Sequence, residues 1–310
     1  MKARPTKARP TKASYMHPKQ ALLLVAILLI ARPAAAESIE IDVGRDTTLL
    51  LEVHSGTLIV QTWDRDQVQM QAWADDDVDL DLSRRGRRIR GTIKGEYGHP
   101  VDADVEVRIP KWMPLEIKGR DLDCELEGLE ASVDARVLGG DLLIDGGRDR
   151  IRVRSVHGSV TLRGSSGLID IHATNEDIRM RDVSGEIVAE TVHGDIRIEG
   201  ALVTAVELVS TSGDIIYDGT IDREGEYFLS THDGDIRLAV PPDTSALLEI
   251  ETYEGGVYAS GAEIEQALVE VRRDREFRAE LGDGQARVRL QNFNGDIELY
   301  DRKRGRSKGG

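Results

Sequence analysis

Residues 187–217 read IVAETVHGDIRIEGALVTAVELVSTSGDIIY, and the way this stretch repeats decides the fold. Its apolar residues come in pairs two positions apart, Ile187/Ala189, Ile196/Ile198, Val206/Leu208 and Ile215/Tyr217, at steps of nine or ten residues. An apolar-polar-apolar triplet is the period-2 signature of a half-buried strand. Toward the N-terminus the pairs Leu115/Ile117, Cys124/Leu126, Leu142/Ile144, Val160/Leu162 and Ile178/Met180 keep multiples of the same step. Toward the C-terminus Ile236/Leu238, Leu248/Ile250, Val257/Ala259, Val269/Val271, Val288/Leu290 and Ile297/Leu299 follow at longer ones.

Every second strand is introduced by one turn: Gly140-Asp141, Gly158-Ser159, Gly194-Asp195, Gly213-Asp214, Gly234-Asp235, Gly255-Gly256 and Gly295-Asp296. Glycine suits a position of positive φ, and aspartate can bind nearby amides as an Asx turn. The true unit is therefore two strands. A fixed period of this length points to an all-β, parallel β-solenoid or β-helix-like stack of about ten rungs of 18–21 residues over 115–300, each burying its apolar face on its neighbours. The competing arrangement is an antiparallel meander, but it would let both turn classes drift, and here only one lengthens. One step breaks the pattern. After Val269/Val271 the inward slots would hold Arg278 and Glu280, so 272–284 is expected to leave the path as a loop with Phe277 and Leu281 packing instead.

Residues 37–114 keep alternating strands but lose the interval, and read as an N-terminal β cap that seals the open end of the stack. Trp63, Trp73 and Trp112 all fall near that end, where large apolar rings would serve as the seal. Pro110 and Pro114 bracket the passage from cap to repeat, with no flexible linker.

Residues 1–36 carry seven basic residues, no acid, and the apolar run 21–30, too short to span a bilayer. With Ala34-Ala35-Ala36 they read as a secretory signal cleaved between Ala36 and Glu37. Their removal takes the formal charge from −15 to −22, which disfavours nucleic acid as a partner. The lone Cys124 falls at an inward slot and can make no internal disulfide. The arginines 84, 85, 87, 88 and 90 cluster at a hairpin, and 301–310 form a basic tail expected to be disordered; both read as solvated charge, with envelope phosphate as the alternative for the hairpin.

Together Ser55-Gly56-Thr57-Leu58-Ile59-Val60, Trp63-Asp64-Arg65-Asp66, Val107-Arg108-Ile109-Pro110-Lys111 and the Gly-Asp turns resemble a bacterial family of candidate adhesins, domains of unknown function. The resemblance covers nearly the whole mature chain. It implies an exported, β-helix-like protein of the periplasm or cell surface, and it brings no catalytic residues. Glu176-Asp177, Gly158-Ser159 and Gly255-Gly256 depart from its turn.

Among polar residues, Asp177, Asp195, Asp214 and Asp235 fall one per rung, about 5 Å apart in a stack. That spacing would suit a retaining glycosidase or a calcium site. The same residue in rung after rung, however, fits turn formation better than a localised acid/base pair. His157 and His193 stand two rungs apart, too far for one zinc. The sequence thus predicts a non-enzymatic adhesin-like binding or scaffold module with no cofactor and no transmembrane segment in the mature chain. Its expected partner is an envelope or host glycan or another envelope protein. The alternative is a carbohydrate-active β-helix enzyme working across the aspartates.

Overall fold

The computed structural model describes residues 37–74, 77–269, 272–273 and 275–302. The leader, Ala36 of the expected cleavage site, and 303–310 of the basic tail lie outside the described residues, and Glu37 opens the first strand. The fold is all-β, and its strands pair in two ladders.

In the first ladder Leu142, Val160, Ile178, Ile196, Ile215 and Ile236 lie side by side in parallel register. In the second, Val133, Ile151, Ile169, Ile187, Val206 and Tyr227 do the same. Neighbours are therefore eighteen residues apart in the middle of the chain, a pairing compatible with a β-solenoid and opposite to that of a meander. The long strands Leu115–Leu129 and Ile196–Ser212 each run through both ladders. Inward pairs from the two ladders meet in one core, where Ile196, Ile198 and Leu208 are fully buried. Each such side chain contributes roughly 1.5–3 kcal/mol by leaving water.

The glycines of the turn answer chiefly to space. A Cβ on Gly213 would meet the Gly194 carbonyl oxygen at 2.1 Å, and one on Gly194 would meet that of Glu176 at 2.3 Å, although Gly194 does not have the positive φ expected for it. The turns stack so closely that no side chain fits between them. Beneath them lies a column of small polar residues, Ser155, Thr191, Ser210, Thr231, Asn292 and Thr252, all buried. Thr191 Oγ1 donates to Glu176 O (3.2 Å), Ser210 Oγ to Gly194 O (3.1 Å) and Thr231 Oγ1 to Gly213 O (2.9 Å). The sequence signal is Ser/Thr/Asn three residues before the turn glycine, with Val137 before Gly140 the exception. Where the turn has Glu176 instead of glycine, the buried slot holds Ala173.

The ends differ from the linear order. The strands Ala286–Asn294 and Ile297–Asp301 do not close the stack. They lie between Glu226–Asp233 and Ala246–Glu254 in one ladder, and between Ile236–Val240 and Val257–Ser260 in the other. At the other end Thr48–Glu52 and Ser55–Trp63 lie inside Arg88–Gly95 and Asp102–Pro110, directly against Leu115–Leu129.

Antiparallel strands then cover three of the four outermost edges, with Val78–Arg85 on Arg88–Gly95, Gln67–Trp73 on Asp102–Pro110, and Glu276–Leu281 on Ala246–Glu254. Thus part of the expected loop at 272–284 is a strand: Ala279 and Leu281 are buried, Phe277 is half-buried, and Arg278 and Glu280 face water. Reversing direction keeps both charges off the core. Ala262–Val269 is a helix rather than the start of a strand, and it packs beside Val257–Ser260.

Candidate functional site

The aspartate column is built by the turn itself. Asp177 Oδ1 accepts the Asp195 amide N–H (2.8 Å), Asp195 Oδ1 that of Asp214 (2.8 Å), and Asp214 Oδ1 that of Asp235 (2.9 Å). Asp235 Oδ1 accepts the amide of Asp296 (2.9 Å), and Asp296 in turn that of Gly256 (2.9 Å), so the column follows spatial rather than chain order. The same link joins Asp123 to Asp141 and Asp141 to Ser159. Outer oxygens meet arginines: Arg179 binds Asp177, and Arg237 lies 3.1 Å from Asp235 and 3.7 Å from Asp214. All four candidate carboxylates therefore do the same thing, each accepting one backbone amide, and three also meet an arginine, whereas acid/base chemistry needs two unlike environments. Among the described residues no group of three or more His, Cys, Asp or Glu side chains could hold a metal ion.

Other expected sites also turn inward on the structure. Asn175 stands beside His157, with Nδ2 3.0 Å from Nδ1. Four of the hairpin arginines bind the protein itself: Arg84 the Asp42 carbonyl, Arg87 Asp46 (3.3 Å), Arg88 Glu116 (2.7 Å) and Arg90 Glu52. Arg65 lies over Trp63 and Arg45 over Trp112, so each ring has a face covered. Burial, aided by the Asp123 charge, pushes the Cys124 thiol up to about 12, leaving it neutral and unreactive.

The C-terminal aromatics divide into two sets. Tyr217 and Tyr227 meet edge-to-face in the core, their hydroxyls donating to Thr220 O (2.7 Å) and Val203 O (2.8 Å). His232, Phe293 and Tyr253 form an exposed stack with ring centroids 4.7 and 5.3 Å apart, closed by Arg275 over Tyr253. Both faces of Phe293 are occupied within the stack. It presents edges outward, where a sugar would need faces.

A ligand-sized concavity lies on the outer face of the second ladder, about 680 Å³ in volume. Ligand sites commonly have volumes of about 300–1,000 Å³. Across neighbouring strands the outward residues alternate, Glu186 and Val188, then Ala205 and Glu207, then Glu226 and Phe228. Arg287, Arg289, Leu247 and Glu249 complete one end, with Arg289 paired to Glu249 (3.1 Å) and Arg287 to Glu226 (3.9 Å). Nearby on the same face, Arg154 and Arg152 bind Asp170, at 3.1 and 3.4 Å, and His172 bridges Asp170 and Glu190, at 2.9 Å to each. Burial opposes the Asp170 charge, but hydrogen bonds and attraction from its cationic neighbours outweigh it and hold the carboxyl below its ordinary value.

No curated protein matches the sequence. Among solved structures the chain is similar to a candidate adhesin from Parabacteroides distasonis (11% identity, 86% of this chain and 97% of that one, TM-score 0.37). It is similar also to a candidate adhesin from Bacteroides fragilis (11%, 86% and 98%, TM-score 0.36) and a candidate lipid-binding protein from P. distasonis (12%, 87% and 98%, TM-score 0.31). Likeness this low carries no argument about function. The family profile of the Toastrack domain, by contrast, matches residues 36–300 with their repeated turns, ladders and closing strands, and the chain belongs to that family, Toastrack DUF4097.

Proposed function

We propose that the chain is an exported, non-enzymatic binding module of the cell envelope, adhesin-like in that a rigid β-stack presents its outer face to a partner. In this reading 1–36 are removed on export, 37–114 close one end of a β-solenoid of about ten rungs over 115–300, and 301–310 trail as a basic tail. One observation carries it: the aspartate column is engaged in repeated backbone hydrogen bonds, while the outer face of the second ladder holds a ligand-sized groove with charged and apolar walls. Among the described residues no helix is long and apolar enough to cross a membrane.

The test is binding of residues 37–310 to arrayed envelope and host glycans and to envelope proteins, with calcium and with a chelator. Saturable binding without turnover is the expected result, and hydrolysis of any glycan overturns the reading. In the same assay Asp195→Asn should bind as the parent does and lose no more than about 1 kcal/mol of stability, because an amide oxygen can still accept the Asp214 N–H. A selective loss of binding in a folded Asp195→Asn protein would return the column to the site.

A further inference from the structure

We propose that the groove on the second ladder takes a basic, extended peptide segment that presents cationic and apolar side chains together on one face; this rests on the binding-module reading and names the ligand class of its site. Of the four groove carboxylates, Glu226 and Glu249 are paired with Arg287 and Arg289 at one end. Glu186 and Glu207 are exposed and have no ion pair among the described residues. That leaves two uncompensated negative charges on a concave wall, where a cation is attracted and an anion is repelled.

The same wall is also patterned with apolar side chains. Glu186 lies beside Ala205, and Val188 beside Glu207, with Glu207 next to Phe228. Carboxylate and apolar side chain therefore alternate both along and across the strands, as on a chequerboard. Phe228 is only half-buried, and among the described residues no stacking neighbour covers its ring. A uniformly charged ligand would leave Val188 and Phe228 wet, and a plain hydrocarbon would bring nothing to the carboxylates. A segment carrying both kinds of side chain satisfies the two together. Size agrees, since the groove crosses five neighbouring strands, from Ser184–His193 to Ala246–Glu254. Four gaps of about 4.8 Å make roughly 19 Å, the length of about six extended residues.

The experiment titrates a short fluorescent peptide of repeating Lys-Lys-Leu-Leu, which in an extended chain carries both kinds of side chain on each face, into residues 37–310, beside peptides of repeating Glu-Glu-Leu-Leu and Lys-Lys-Ser-Ser. The Lys/Leu peptide should bind saturably and weaken as salt rises, while the other two bind at least several-fold less well. The double variant Glu186→Gln/Glu207→Gln should weaken binding about tenfold, the order expected from two partly exposed charge contacts. Phe228→Ala should weaken it as well. Glu125→Gln, on the outer face of the other ladder, should leave it unchanged. All three changes are outward-facing, and a urea midpoint checks each fold.

An unchanged affinity in the double variant overturns the inference, as does equal binding of the Lys/Ser peptide, which would mean charge without the groove. If the protein ignores every peptide yet binds an arrayed glycan, the peptide assignment fails and the binding-module reading stands. If it binds neither peptides nor any arrayed partner, both fail.

Discussion

The middle of the molecule and its C-terminal end are made of the same unit but connected by different rules. Between Leu142 and Tyr227 each unit lies on the unit eighteen to twenty-one residues away, so packing is local in sequence. At the C-terminal end a unit from 286–301 separates two units that follow each other in the chain. The N-terminal end mirrors this: the early unit 48–63 separates 88–110 from 115–129, which follow each other in the chain. A repeat sequence thus specifies what a unit is without specifying which unit lies beside it.

The largest expected effect tests the middle. Ile196→Asp puts a lone carboxylate among Ile178, Ile215 and the facing ladder, at a cost of more than about 4 kcal/mol, and should unfold or aggregate the protein. A soluble variant with native circular dichroism would break the register. Leu290→Ala hollows the inserted unit, and about 2–5 kcal/mol should be lost there. Hydrogen exchange should then rise in 226–233, 246–254 and 286–301 while 142–190 stays protected. Equal loosening of both regions would erase the distinction drawn between them.

Phe293→Ala removes the ring shared by His232 and Tyr253, costs about 1 kcal/mol, and should act at the C-terminal end alone. The smallest effect belongs to Asp170, in the middle. Its carboxyl is held below the ordinary value of 3.8, so its contribution is fully present above about pH 4 and disappears as the pH falls through the lower folded value. The stability difference between the parent and Asp170→Asn, measured by urea melts, should accordingly shrink from pH 7 to pH 3. A difference that grows on acidification would reverse the sign assigned here.

Much of this was legible in the residues. Ile196/Ile198 and Val206/Leu208 announce inward pairs, and Gly213-Asp214 announces the turn and even the aspartate column, because both depend on local chain geometry. The position of Val288/Leu290 was not legible. Its apolar pair could lie as well against Tyr227/Leu229 as against any other pair, and only the three-dimensional order places it between Tyr227 and Leu248. The groove was hidden for the same reason, since Arg287 and Arg289 reach Glu226 and Glu249 only through that insertion. The buried hydroxyl column was written in the sequence as Thr191, Ser210 and Thr231, each three residues ahead of a glycine. Isolated small polar residues in strands do not by themselves reveal that they face the core.

The inserted unit also sets a timetable for the growing polypeptide. Glu249 is made forty residues before Arg289, its eventual partner. During that interval Tyr227 and Leu248, themselves one ordinary repeat apart, are free to pair with each other, giving a premature stack with every apolar pair satisfied. Arrival of 286–301 must then prise that contact open, or find it still unmade. Chain emergence and chain docking are therefore in competition at this one place, and slow translation across 250–290 would favour the premature stack.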